Sequence, residues 1–86
     1  MNQEKIETKW LTFELRPGKG KTCRYDVMTK GDVPYKIGEV KWYGPFRKYS
    51  FFPEPKTVYD YSCMQVISKL IFDLEAQRRI ESQKIN

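Results

Sequence analysis

Histidine is absent from this 86-residue chain. Its absence removes the commonest general base near neutral pH, the usual partner of a nucleophilic Ser or Cys, and the usual nitrogen ligand of zinc. Cysteine is scarce. Cys23 and Cys63 suffice for one bridge at most, and a reducing compartment predicts free, buried, chemically idle thiols. No stretch approaches the ~18 consecutive apolar residues of a membrane span, and the segment from Met1 to Lys9 lacks the apolar core of a secretory signal. These absences predict a cytosolic, non-enzymatic protein with no metal or cofactor. The carboxylates Asp26, Asp32, Glu39, Glu54 and Asp60 are scattered among turns and strands, and nothing in their spacing pairs them for acid–base work.

Negative charge is also in deficit. Sixteen Lys+Arg against eleven Asp+Glu leave a net charge of +5. Residues 1–50 hold eleven basic and six acidic side chains and residues 51–86 hold five of each, so the whole excess lies in the first half. Such a balance suits a polyanionic or acidic partner. At this length the chain reads as a single domain, with an ordered core over about 7–80.

Residues 9–15 alternate, with Leu11, Phe13 and Leu15 opposite Trp10, Thr12 and Glu14, which predicts a half-buried strand. Pro17-Gly18-Lys19-Gly20 turns the chain into a second strand over 22–29, where Cys23, Tyr25 and Val27 share a face. After Gly31-Asp32-Val33-Pro34 come strands over 35–43 and 46–52, separated by Gly44-Pro45 and ended by Pro53-Glu54-Pro55. The period then changes. Cys63, Val66, Ile67, Leu70, Ile71 and Leu74 mark one stripe of a helix over 63–82. Ser62 and Gln65 have capping-box spacing, with Tyr61 and Val66 as a staple around them. The predicted fold is α+β: a four-stranded antiparallel meander with one C-terminal helix packed on one face.

A two-residue loop at Gly44-Pro45 would set Tyr43 opposite Phe46, Trp42 opposite Arg47 and Lys41 opposite Lys48. Val40, Trp42, Arg47, Tyr49 and Phe51 would then face the helix, with Gly38 leaving room for Phe51 and Arg47 lying on Trp42. Ile37, Glu39, Lys41, Tyr43, Phe46, Lys48, Ser50 and Phe52 would form the wetter, more basic face.

Two segments invite a functional reading. Gly18-Lys19-Gly20-Lys21-Thr22 ends like a phosphate-binding loop, but Leu15 stands where the first glycine belongs and a strand follows instead of a helix. A basic hairpin tip is the better reading. Residues 41–52 hold six aromatics and three cations. Rings for stacking and cations for phosphates suit nucleic acid, whereas a purely structural reading makes Trp42, Tyr49 and Phe51 core. The candidate contact residues are Lys19, Lys21, Lys41, Tyr43, Phe46 and Lys48. The alternative partner is an acidic host protein, since aromatics and arginine also favour protein interfaces.

Residues Ile37 to Pro53, then Thr57-Val58 and the helix opening with Cys63, resemble short single-domain proteins of unknown function from bacteriophages and prophage-like elements. The resemblance spans about half the chain and leaves residues 1–35 aside. It implies a setting, the cytoplasm of a bacterial host, and no mechanism.

Overall fold

The computed structural model describes residues 4–17, 20 and 22–83, with side chains through Ile80. Among these residues, β1 (Lys5–Glu7), β2 (Leu11–Arg16), β3 (Arg24–Thr29), β4 (Lys36–Tyr43) and β5 (Lys48–Pro53) form one antiparallel sheet in chain order. Helix α1 (Tyr61–Gln83) follows. The expected α+β meander with a C-terminal helix is present, but it has five strands, not four. The added strand pairs Lys5 with Glu14, Ile6 with Phe13 and Glu7 with Thr12. Three residues with one apolar position offer no alternation to read. β1 is held by the partly buried Ile6 against the core, and just before it the Glu4 carbonyl accepts the Leu15 N–H at 2.7 Å.

Register explains the core. Phe13 stands opposite Val27, Leu15 opposite Tyr25, and Tyr25 opposite Val40. Since side chains alternate along a strand, these residues share one face with Leu11, Tyr49 and Phe51. Ile67, Leu70 and Leu74 of α1 complete the buried cluster, and Cys63, Val66 and Ile71 pack at its margin. Gly38 leaves room for Phe51 as expected: a Cβ there would lie 2.6 Å from that ring. Cys23 and Cys63 are not joined in a disulfide, and both are half-buried rather than buried. Ile37 departs from expectation. A bulge opposite Val27/Met28 makes it the extra residue of β4, and it joins the core instead of the wet face. Its carbonyl accepts the Glu54 N–H and the Tyr59 hydroxyl.

The β4–β5 connection is longer than two residues. Gly44–Phe46 form one 3₁₀ turn, and Arg47 closes it in the left-handed region at φ 52° and ψ 43°. The register therefore moves by two. Trp42 faces Tyr49, Lys41 faces Ser50 and Tyr43 faces Lys48. A shift of two preserves side-chain faces, so strand faces survive while the expected pairs Tyr43–Phe46, Trp42–Arg47 and Lys41–Lys48 do not.

The helix starts two residues earlier than expected. Asp60 is its cap: Oδ1 accepts the Cys63 N–H at 2.9 Å, and the Asp60 carbonyl accepts the Met64 N–H. A carboxylate at this position also meets the positive end of the helix dipole, which a Ser62 hydroxyl does not. Gln65 donates to the Tyr61 hydroxyl instead of closing a capping box.

Candidate functional site

The open face of the sheet is built from rows that cross the strands. Lys5, Glu14, Asp26, Glu39 and Phe52 form one row, and Arg16, Arg24, Lys41 and Ser50 form the next. Three carboxylates directly opposite one another repel unless cations lie between them. Arg16 reaches Glu14 at 2.7 Å and Asp26 at 2.9 Å. Lys36 reaches Glu39 at 2.5 Å and Asp26 at 3.6 Å, while Lys41 and Arg24 meet Glu39 at 3.2 and 3.6 Å. The hydrogen bond from Lys36, followed by that from Lys41, holds the Glu39 carboxyl below its ordinary range; the same contact with Glu39 raises the Lys36 ammonium. The middle of this face is therefore an ion-pair lattice. The carboxylates of Glu14 and Asp26, which strand register adds to Glu39, offset the basic character expected of this face.

Free charge and an exposed ring, Phe46, meet at one end of the sheet. Tyr43 packs edge-to-face with Phe46, 4.8 Å between centroids at 89°, and with Phe52, 5.7 Å at 73°. Lys41 Nζ lies 4.7 Å from the Phe52 centroid. Phe46 is 67% exposed, and its ring joins Tyr43 although its backbone belongs to the turn and not to a strand. Lys48 faces Tyr43 across the hairpin, and Arg47 precedes it. Among the described residues, no carboxylate lies within ion-pairing distance of Arg47 or Lys48.

Four of the six candidate residues, Lys41, Tyr43, Phe46 and Lys48, are thus brought together. Lys19 and Lys21 lie outside the described residues. The strand ends that bound their loop, Arg16 and Arg24, sit at the same end of the sheet as the Gly44–Phe46 turn. Residue-type reading missed Phe52 and Arg47 as members of the cluster. Alternation already sets Phe52 on the same face as Tyr43 and Lys48, although it is not one of the six candidates. The placement of Arg47 depended on loop length.

Trp42 belongs to the structural side. It packs edge-to-face with Tyr49 at 5.5 Å, and the cation over it is Arg78 of the helix at 5.0 Å, not Arg47. A four-residue connection takes Arg47 out of the strand, and the helix brings Arg78 to the vacated ring face.

Among the described residues, no group of carboxylates and thiols is arranged to hold a metal ion, and no helix is long and apolar enough to cross a membrane. No family model and no solved structure matches the chain. It is 32% identical over 74 residues to the uncharacterized 9.3 kDa protein of Acholeplasma phage L2, covering 86% of this chain and 85% of that relative. The similarity read over residues 37–63 thus extends along most of the sequence, and the chain belongs to a family of phage proteins that includes this relative.

Proposed function

We propose that this phage-family protein is a non-enzymatic binding protein that contacts nucleic acid through the basic, aromatic end of its sheet. The observation that carries the reading is the cluster of Tyr43, Phe46 and Phe52 beside Lys41, Arg47 and Lys48. Rings accept bases and cations follow phosphates, and both kinds of group stand within one hairpin. Such binding falls steeply with salt, and loss of Lys41 and Lys48 together flattens the dependence. Lys48 contributes more of this effect, because Lys41 is shared with Glu39. Gel-shift assays at low salt against single- and double-stranded DNA and RNA test the reading; no shift with any of them overturns it.

A second reading rests on a different surface. Tyr61, Met64 and Phe72 are 71%, 53% and 67% exposed on the side of the helix away from the core, and exposed apolar side chains favour a protein partner. The protein would then bind and modulate a host protein through this apolar helix face. Co-purification from nuclease-treated bacterial lysate separates the two readings. A stoichiometric protein that remains at high salt favours the second reading, whereas a nucleic acid bridge is lost.

A further inference from the structure

We infer that the occupant of the β4–β5 hairpin end is an unpaired nucleic-acid strand, with one base against the ring of Phe46 and the adjoining phosphates held by Arg47 and Lys48. This deepens the nucleic-acid reading above and rests on it.

The first support is the ring. Phe46 projects on the 3₁₀ turn beyond the sheet end, mostly exposed and braced by Tyr43 in a perpendicular contact. A duplex presents its base edges and backbone, with base faces hidden in the stack. A solvent-facing ring stacks on an unpaired base without breaking any stack, whereas reaching a base face inside a duplex means wedging open and kinking a base step.

The second support is the limited extent of free charge. A phosphate laid across β2, β3 and β4 meets the carboxylates of Glu14, Asp26 and Glu39, whose neighbouring cations are already paired. The broad cationic surface on which a duplex rests is therefore missing from the middle of the sheet. A short cationic rim beside a ring matches the repeat of a single strand, in which phosphate and base alternate.

The third support is local conformation. Arg47 occupies the left-handed region, where glycine is unstrained and a residue with a Cβ is disfavoured. A cation stands here against the backbone preference, beside the ring it would serve. Lys56 has a similar φ of 63° but follows the end of β5 opposite the Gly44–Phe46 turn, and supplies a control.

The test is fluorescence anisotropy at low salt with three labelled probes: an oligothymidylate, an oligouridylate and a mixed-sequence DNA duplex. At least one single strand is expected to bind roughly tenfold or more tightly than the duplex, within the range of one stacked base. Phe46→Ala should weaken that binding roughly 5- to 150-fold. Arg47→Gly and Lys48→Ala should each reduce the slope of log K against log salt by about 0.7. Lys56→Gly should leave both affinity and slope unchanged. Thermal unfolding checks each variant, and Arg47→Gly is expected to unfold at or above the wild-type temperature. Equal affinity for duplex and single strands, or a folded Phe46→Ala variant that binds as wild type, overturns this inference while the broader nucleic-acid reading stands. Absence of binding to all three probes removes both.

Discussion

Glu75 of the helix accepts the backbone N–H of Tyr49 at 2.6 Å. Strand β5 is an edge strand, and in its pairing with Trp42 this N–H points away from β4. The helix thus supplies a partner for a group that would otherwise be buried without one, and it blunts the edge against pairing with another chain. Arg78 reaches the other Glu75 oxygen at 3.3 Å and lies over Trp42, so one carboxylate ties together helix, edge strand and aromatic core.

Replacing Glu75 with Ala should cost about 1–3 kcal/mol, the penalty of leaving a buried N–H unpaired. Glu75→Gln, which keeps an acceptor oxygen, should recover part of it. Urea unfolding gives the energies, and hydrogen exchange at the Tyr49 amide shows whether the loss is located there. An unchanged exchange rate in Glu75→Ala would contradict the assignment.

Leu70 is 5% exposed and sits in the middle of the helix stripe. Leu70→Ala should destabilise by about 2–5 kcal/mol, a large share of the stability of a domain this small. Wild-type thermal stability in this variant would mean that the helix does not pack on the sheet as described.

Gly38 has no space for a side chain, since an added Cβ meets the Phe51 ring at 2.6 Å and the Phe52 carbonyl oxygen at 2.8 Å. The ring can give way, but the backbone oxygen gives way less easily. Gly38→Ala should cost about 1–3 kcal/mol through overpacking, measured by thermal or urea unfolding. Pairing it with Phe51→Leu should recover part of the ring's share and leave the carbonyl's share in place.

Stability should be flat between about pH 5 and pH 9, with losses on both sides. The Glu39 carboxyl is lowered first by the Lys36 hydrogen bond, and Asp60 is lowered first by the Cys63 N–H. For both, the folded value lies below the unfolded one, so their contribution is complete above about pH 4–5 and is lost as pH falls through the folded values. Burial raises the phenols of Tyr25 and Tyr49. Their contribution is complete below about pH 10 and is lost as pH rises through the folded values. Thermal midpoints across pH should show both limbs, and Glu39→Gln should make the acid limb shallower. An acid limb unchanged in that variant would show that the Lys36–Glu39 contact contributes nothing.

The main elements were legible because their signals were long. Alternation through Leu11, Phe13 and Leu15 marked β2, and the stripe from Cys63 to Leu74 marked the helix. Strand β1 was hidden because Ile6 alone carries its pattern. The hairpin register depended on whether Arg47 would enter the left-handed region, which no local preference of arginine announces. The face assignment survived that error only because the shift was even. The ion-pair lattice was illegible for a different reason: Glu14, Asp26 and Glu39 lie on three strands and meet only through registers that tertiary packing sets. Composition singles out residues 41–52 for their rings and cations, but it could not show which of those cations are already paired.

The central claim, that the β4–β5 hairpin end is the contact surface, is tested most directly by amide chemical-shift mapping during titration with a short single-stranded oligonucleotide. The predicted result is a set of shifts over Lys41, Tyr43, Gly44, Phe46, Arg47, Lys48 and Phe52, with Tyr61, Met64 and Phe72 of the outer helix face unmoved. Shifts confined to that helix face, or none at all, would contradict it.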